Sequence, residues 1–155
     1  MDNGIEYIKK EINKINWLQY ETAYSATGEK IAIYLKELFC EDKERILEAT
    51  HMLWCSLCHQ HAYISSAALP SYEFLKYALL NFDDYIKIEI LDIFAGYAVC
   101  IKYNYYYSIN KSNEISWIYQ LKIKLTNDIK LFEDLASYPN EDISYFAKSI
   151  CEYIK

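Results

Sequence analysis

Apolar residues recur every three or four positions along most of the chain, the period of one face of an α-helix. Ile5, Ile8, Ile12 and Ile15 form the first such stripe, and Ile31, Tyr34, Leu35, Leu38 and Phe39 the second. Ile46, Ala49, Thr50, Leu53, Trp54 and Leu57 form a third, and Ile86, Ile90, Ile93, Phe94, Tyr97 and Ile101 a later one. Ile115, Ile118, Leu121, Leu125, Ile129, Phe132 and Ala136 keep one phase through about six turns. Ile143, Phe146, Ala147, Ile150 and Ile154 close the chain. With three glycines and two prolines, the sequence is too poor in turn formers for a β-sandwich. The pattern predicts an all-α chain.

The gaps between stripes carry helix-start chemistry. Asp42, Asp83, Ser112 and Asn140 each stand just ahead of an apolar run, where a short polar side chain can accept from free backbone N–H groups. Pro70 fits the first turn of a helix running to about Leu80, and Pro139 stops the helix before it. Lys102 to Lys111, rich in Tyr and Asn, is the longest stretch predicted to be irregular. The count comes to seven or eight helices with short loops.

Aligning the capping residues brings out a repeat. Seven positions after Asp42, Asp83 and Asn140 stand Ala49, Ile90 and Ala147; an apolar pair (Leu38/Phe39, Leu79/Leu80, Leu135/Ala136) precedes each cap. Asp42 and Asp83 are 41 residues apart, the length of a two-helix repeat of roughly 40–47 residues, while the next interval is 57.

These units resemble HEAT repeats. Trp17 to Tyr24, followed by Leu57-Cys58-His59-Gln60, Tyr63, Ala67-Ala68, Pro70 and Ile90-Leu91, resembles a group of bacterial HEAT-like proteins. That group has a Trp…Ala-Tyr opening and a His-Gln…Tyr…Ala…Pro middle. The resemblance spans about Ile15 to Cys100 and the last helix. It departs at His61, where the group has Gly, and in the stretch from Lys102. It implies a short right-handed α-solenoid of HEAT/armadillo-like helix pairs, one domain over residues 1–155. Several α-solenoid proteins of this size are immunity proteins of polymorphic-toxin and contact-dependent inhibition systems, so it also implies binding to a cognate toxin.

Charge narrows the partner. The net charge of −6 and pI near 5.1 disfavour nucleic acid, whose phosphates call for clustered Lys and Arg, and favour a basic protein. Tyrosine is abundant at 17 residues, which suits a binding surface. Plentiful Ile, Lys and Asn are equally what an AT-rich genome would give. The polar, acidic start lacks the layout of a secretory leader, and Ile88 to Ile101, interrupted by Glu89 and Asp92, is too short to span a bilayer. A cytoplasmic protein without membrane contact is expected. Five cysteines, an odd number, favour free thiols over a disulfide framework.

Candidate chemistry is sparse. Cys55-Ser56-Leu57-Cys58-His59 matches a c-type haem attachment pattern, and His51, Cys55 and His59 share a helical face beside Cys58 and His61. Ligands strung along one rigid helix cannot surround a single ion, so the Cys55–His61 cluster is expected to be structural, with no metal, no cofactor and no catalytic residue. His59 or Gln60 would then cap the end of that helix. For binding, Tyr85, Glu89, Asp92 and Gly96 fall on one side of their helix, opposite its apolar stripe, and Glu44, Glu48 and His51 occupy a comparable face. With Tyr103, Tyr105, Tyr106 and Tyr107 as anchors, Glu44, Glu48, Tyr85, Glu89 and Asp92 would make an acidic, Tyr-edged surface. The reading that follows is an immunity protein occluding a basic toxin domain, plausibly a nuclease. A HEAT-like adaptor is the alternative, and a metal- or thiol-dependent enzyme built on Cys55–His61 a second. Trp54, Phe94 and Phe146 are expected to fill the seams between helices.

Overall fold

A computed structural model describes residues 2–23, 26–106 and 114–155. Eight α-helices are present among them: α1 (Asp2–Lys14), α2 (Glu29–Glu37), α3 (Lys43–Cys58), α4 (Ala68–Asn81), α5 (Asp84–Tyr103), α6 (Glu114–Asn127), α7 (Ile129–Ala136) and α8 (Glu141–Ile154). The chain is all-helical; extended pairing among the described residues is limited to the isolated bridges Glu21↔Thr27 and Ile64↔Tyr106.

Three helices begin as the sequence requires. The Asp42 side chain accepts from the Glu44 and Arg45 N–H groups, Asp83 from Ile86, and Asn140 from Asp142 and Ile143. Each removes orphan donors and sets a carboxylate or amide oxygen at the positive end of a helix. Ser112, the fourth expected cap, and Tyr107 lie outside the described residues. Pro70 sits in the first turn of α4, where a missing N–H costs nothing.

The helices form two layers. α3, α5 and α8 lie side by side, α5 in the middle, and α2, α4 and α7 back them in that order, with α6 packed against α4 and α5. Lys43 reaches over Tyr85 at one end of the α3–α5 contact, and Cys58 meets Gly96 at the other, so these two helices run parallel. Tyr103 and Tyr153, each near its helix's C-terminus, pack edge to face at 6.2 Å, so α5 and α8 are parallel too. α4 turns back into α5 through Phe82 and Asp83, bringing Tyr72 and Phe94 to a ring separation of 5.0 Å.

α5 contributes more of the core than any other helix. Ile90, Leu91, Ile93, Phe94 and Tyr97 are all fully buried, and Phe94 touches Tyr72, Tyr97 and Phe132. Of the three aromatics expected to fill seams, Phe94 is enclosed, while Trp54 and Phe146 are half-buried at the edge of the cluster. Leu79 is buried but its companion Leu80 is exposed, because consecutive helical residues lie about 100° apart and cannot both face the core.

One long predicted helix is two. The stripe from Ile115 to Ala136 keeps its phase, but the helix breaks at Asp128, between α6 and α7. The Asp128 carboxylate accepts from the Tyr72 hydroxyl at 2.8 Å and from Lys76 Nζ at 2.7 Å. A largely buried carboxylate with both partners on α4 holds the chain at this bend. At the other disputed boundary, α5 extends through Lys102 and Tyr103, so the irregular stretch starts two residues later than expected.

Phe94→Ala should destabilise the protein by about 3–5 kcal/mol, since the ring is enclosed on every side, and Phe146→Ala by less. Chemical denaturation of both variants checks the order; a Phe146 cost equal to or above that of Phe94 would contradict this packing.

Candidate functional site

The two stretches 37–48 and 83–92 contain nine Asp and Glu against three Lys and Arg. That surplus of six equals the net charge of the chain, so the remaining residues balance to zero. The fold brings these stretches together, since both lie at the N-terminal ends of the parallel pair α3 and α5. The three cations are occupied: Arg45 pairs with Glu37 at 2.6 Å, Lys43 stands 3.9 Å over the Tyr85 ring, and Lys87 donates to the Leu79 carbonyl. Glu41, Glu44, Glu48 and Asp84 are exposed and make no ion pair among the described residues. Tyr85, 65 % exposed, stands on the same edge, with the Lys43 ammonium over its ring. The result is an acidic rim of four carboxylates without ion pairs, with one exposed aromatic ring beside it.

Further along α5 the expected polar face is not a solvated one. Gly96 is buried: a Cβ there would lie 2.7 Å from both Cys58 Sγ and His61 Cδ2. Asp92 is half-buried and lies 2.8 Å from His61 Nε2, through its carboxylate and also through its backbone carbonyl. Glu89 is half-buried as well, and burial first, then the neighbouring Asp92 carboxylate, raise its pKa above the usual range, with His51 opposing. The side read from the sequence as solvent-facing is therefore the surface on which α5 receives the end of α3. Periodicity could not show this, because glycine and a salt-bridged aspartate read as polar in any sequence pattern.

The end of α3 is unusual. His59, Gln60 and His61 all have positive φ (42°, 56° and 71°), three consecutive non-glycine residues in the left-handed region. Each costs roughly 1–2 kcal/mol relative to ordinary helical geometry. His59 closes α3 with its backbone, donating its N–H to the Trp54 carbonyl. The Gln60 side chain donates to Cys55 Sγ at 3.8 Å instead of capping a carbonyl. His61 is held by Asp92, and its carbonyl accepts from the Cys100 thiol at 3.5 Å. The His61–Asp92 pair is the missed element of this region. Nothing in the local sequence links two residues 31 positions apart.

The Cys55–His61 cluster is dispersed by this turn. His51 Nε2 lies 3.7 Å from Cys55 Sγ, while His61 points to α5 and His59 packs against the Tyr63 ring. Among the described residues no group of three or more His, Cys, Asp or Glu is placed to hold a metal ion. All five cysteines are free thiols; burial raises Cys58 and Cys151 and pushes Cys100 up to about 12, all away from nucleophilic thiolate.

The tyrosine anchors stand elsewhere. Tyr103 and Tyr105 are 51 % and 49 % exposed and stack with ring centres 5.8 Å apart. Tyr106 is half-buried, tied to Ile64 by the isolated bridge. From Tyr85 to Tyr103 along α5 is about 27 Å at the helical rise. The expected single surface is thus divided: Glu44, Glu48 and Tyr85 lie near the N-terminal end of α5, the half-buried Glu89 and Asp92 further along it, and the tyrosine group at its other end.

Comparison with protein-family models, with curated proteins and with solved structures gives no match. No helix among the described residues is long and apolar enough to cross a membrane.

The His61–Asp92 pair predicts a pH dependence. Burial opposes the His61 charge, but the hydrogen bonds and attraction from Asp92 outweigh it, so the folded pKa lies above the ordinary 6.5. Asp92 and Gly96 from α5 and Trp54 from α3 stand around the ring, and Asp92 is its charged neighbour. The pair's contribution is fully present below pH 6.5 and is lost as pH rises through the folded value. Unfolding measured from pH 6 upward should show this loss in the wild type and not in Asp92→Asn; equal pH profiles would exclude it. Gly96→Ala should destabilise the protein, although alanine is the better helix former.

Proposed function

We propose that this chain is a short α-solenoid of HEAT-like helix pairs, α2 with α3, α4 with α5 and α7 with α8, that works in the cytoplasm as an immunity protein. It binds a basic toxin domain, a nuclease in this reading, and blocks its active site by occupying it. It acts by binding and carries no catalytic group. The observation behind this reading is the acidic rim: Glu41, Glu44, Glu48 and Asp84, all exposed and without ion pairs among the described residues, lie where α3 and α5 begin, with the exposed Tyr85 on the same edge. A nuclease site is built to receive polyanionic phosphate, and a rigid row of carboxylates beside an aromatic ring offers similar charge on a surface that cannot be cleaved. Layering also supports the reading, since the parallel α3, α5 and α8 match what stacked two-helix repeats require.

The rim, not the half-buried Glu89 and Asp92, should control association. Glu44→Lys with Glu48→Lys should slow binding to the toxin domain encoded beside this gene, leave the melting temperature nearly unchanged, and flatten the salt dependence of the rate, because such steering is screened beyond about 8–10 Å. Stopped-flow mixing at two salt concentrations measures it. Failure of the two proteins to form a complex, or rates indifferent to both salt and charge reversal, would refute the proposal.

A further inference from the structure

We propose that the recess between the C-terminal ends of α5 and α8 and the middle of α6 binds a small organic anion, a phosphate or carboxylate on an aromatic or aliphatic body. The recess holds about 320 Å³, within the range of small-molecule sites. Lys102, Lys122 and Lys155 line it, and no acidic side chain does. None of the three lysines has an ion-pair partner among the described residues. In a chain whose carboxylates outnumber its cations, three lysines without ion-pair partners thus line one hollow that has no acidic side chain.

Helix termini do not supply it. Two helix C-termini present about half a negative charge each, and only over the last turn. Lys102 and Lys155 can answer those two ends. Lys122 stands in the interior of α6, more than a turn before its end at Asn127, and serves no terminus. A carboxylate following Lys155 would still leave a positive surplus.

The rest of the lining defines the body of the ligand. Leu125 is buried at the floor, and Tyr153 forms a wall, braced edge-on by Tyr103, which in turn stacks on Tyr105. The Asn104 side chain, on a residue in left-handed conformation that ends α5, adds a neutral hydrogen-bonding group at the rim. A flat apolar body fits against Tyr153 and Leu125, with its anionic group among the ammonium groups. The site lies at the opposite end of α5 from the acidic rim and does not depend on what that rim binds.

Phenyl phosphate, benzoate and neutral benzyl alcohol, titrated separately into the full chain and followed by NMR, test the proposal. The two anions should shift the signals of Asn104, Lys122 and Tyr153 saturably, and the alcohol should not. Lys102→Gln with Lys122→Gln should weaken anion binding at least about tenfold. An unchanged circular dichroism melt would show that this variant is folded. Saturable binding of the alcohol at equal strength, undiminished binding in the double variant, or no saturable shift with either anion would each overturn the assignment.

Discussion

Helix α5 is apolar around most of its circumference between Ile86 and Cys100, and such a helix is stable only when covered on nearly every side. The remaining elements supply that cover: α3 and α8 flank it within its layer and α4 lies behind it. The closest approach is at Gly96, where the absence of a side chain admits Cys58 and His61. A glycine in a helix costs roughly 0.5–1 kcal/mol relative to alanine. Here that cost is set against contact between α3 and α5, and against a left-handed turn that fits only because His61 reaches the Asp92 carboxylate.

The fold was legible to the extent that its determinants are local. Periodicity gave the helices, and Asp42, Asp83 and Asn140 cap as short polar residues ahead of an apolar run should. What escaped was non-local. The bend at Asp128 depends on Tyr72 and Lys76, more than fifty residues away, and the hydrophobic phase runs through it undisturbed. Asp92 and Gly96 looked like a solvent face because a sequence pattern records polarity and size but not partners. The layout of the candidate surface was not legible either: a 20-residue helix holds Tyr85 and the Tyr103–Tyr106 group at opposite ends, a separation that residue types alone do not reveal.

That separation gives the molecule an electrical order. At the N-terminal end of α5 the capping and first-turn acids Asp83 and Asp84 meet those of α3, Asp42 and Glu44. Acids are favoured at helix N-termini by the backbone dipole, so two parallel helices starting side by side concentrate negative charge, with the dipoles offsetting part of its self-repulsion. At the other end the same dipole favours lysines. The parallel helices thus separate charge along their axis, acids where α3 and α5 begin and lysines where α5 and α8 end.

Mapping the near-surface potential by NMR, with positively charged, neutral and negatively charged nitroxide probes in solution, measures this order directly and needs no binding partner. The account predicts that the cationic probe relaxes signals of Glu44, Glu48 and Tyr85 more strongly than the neutral one does. The anionic probe should do so at Lys102, Lys122 and Tyr153. A uniform response to the three probes across both ends of α5, or the reverse assignment of sign, would contradict it.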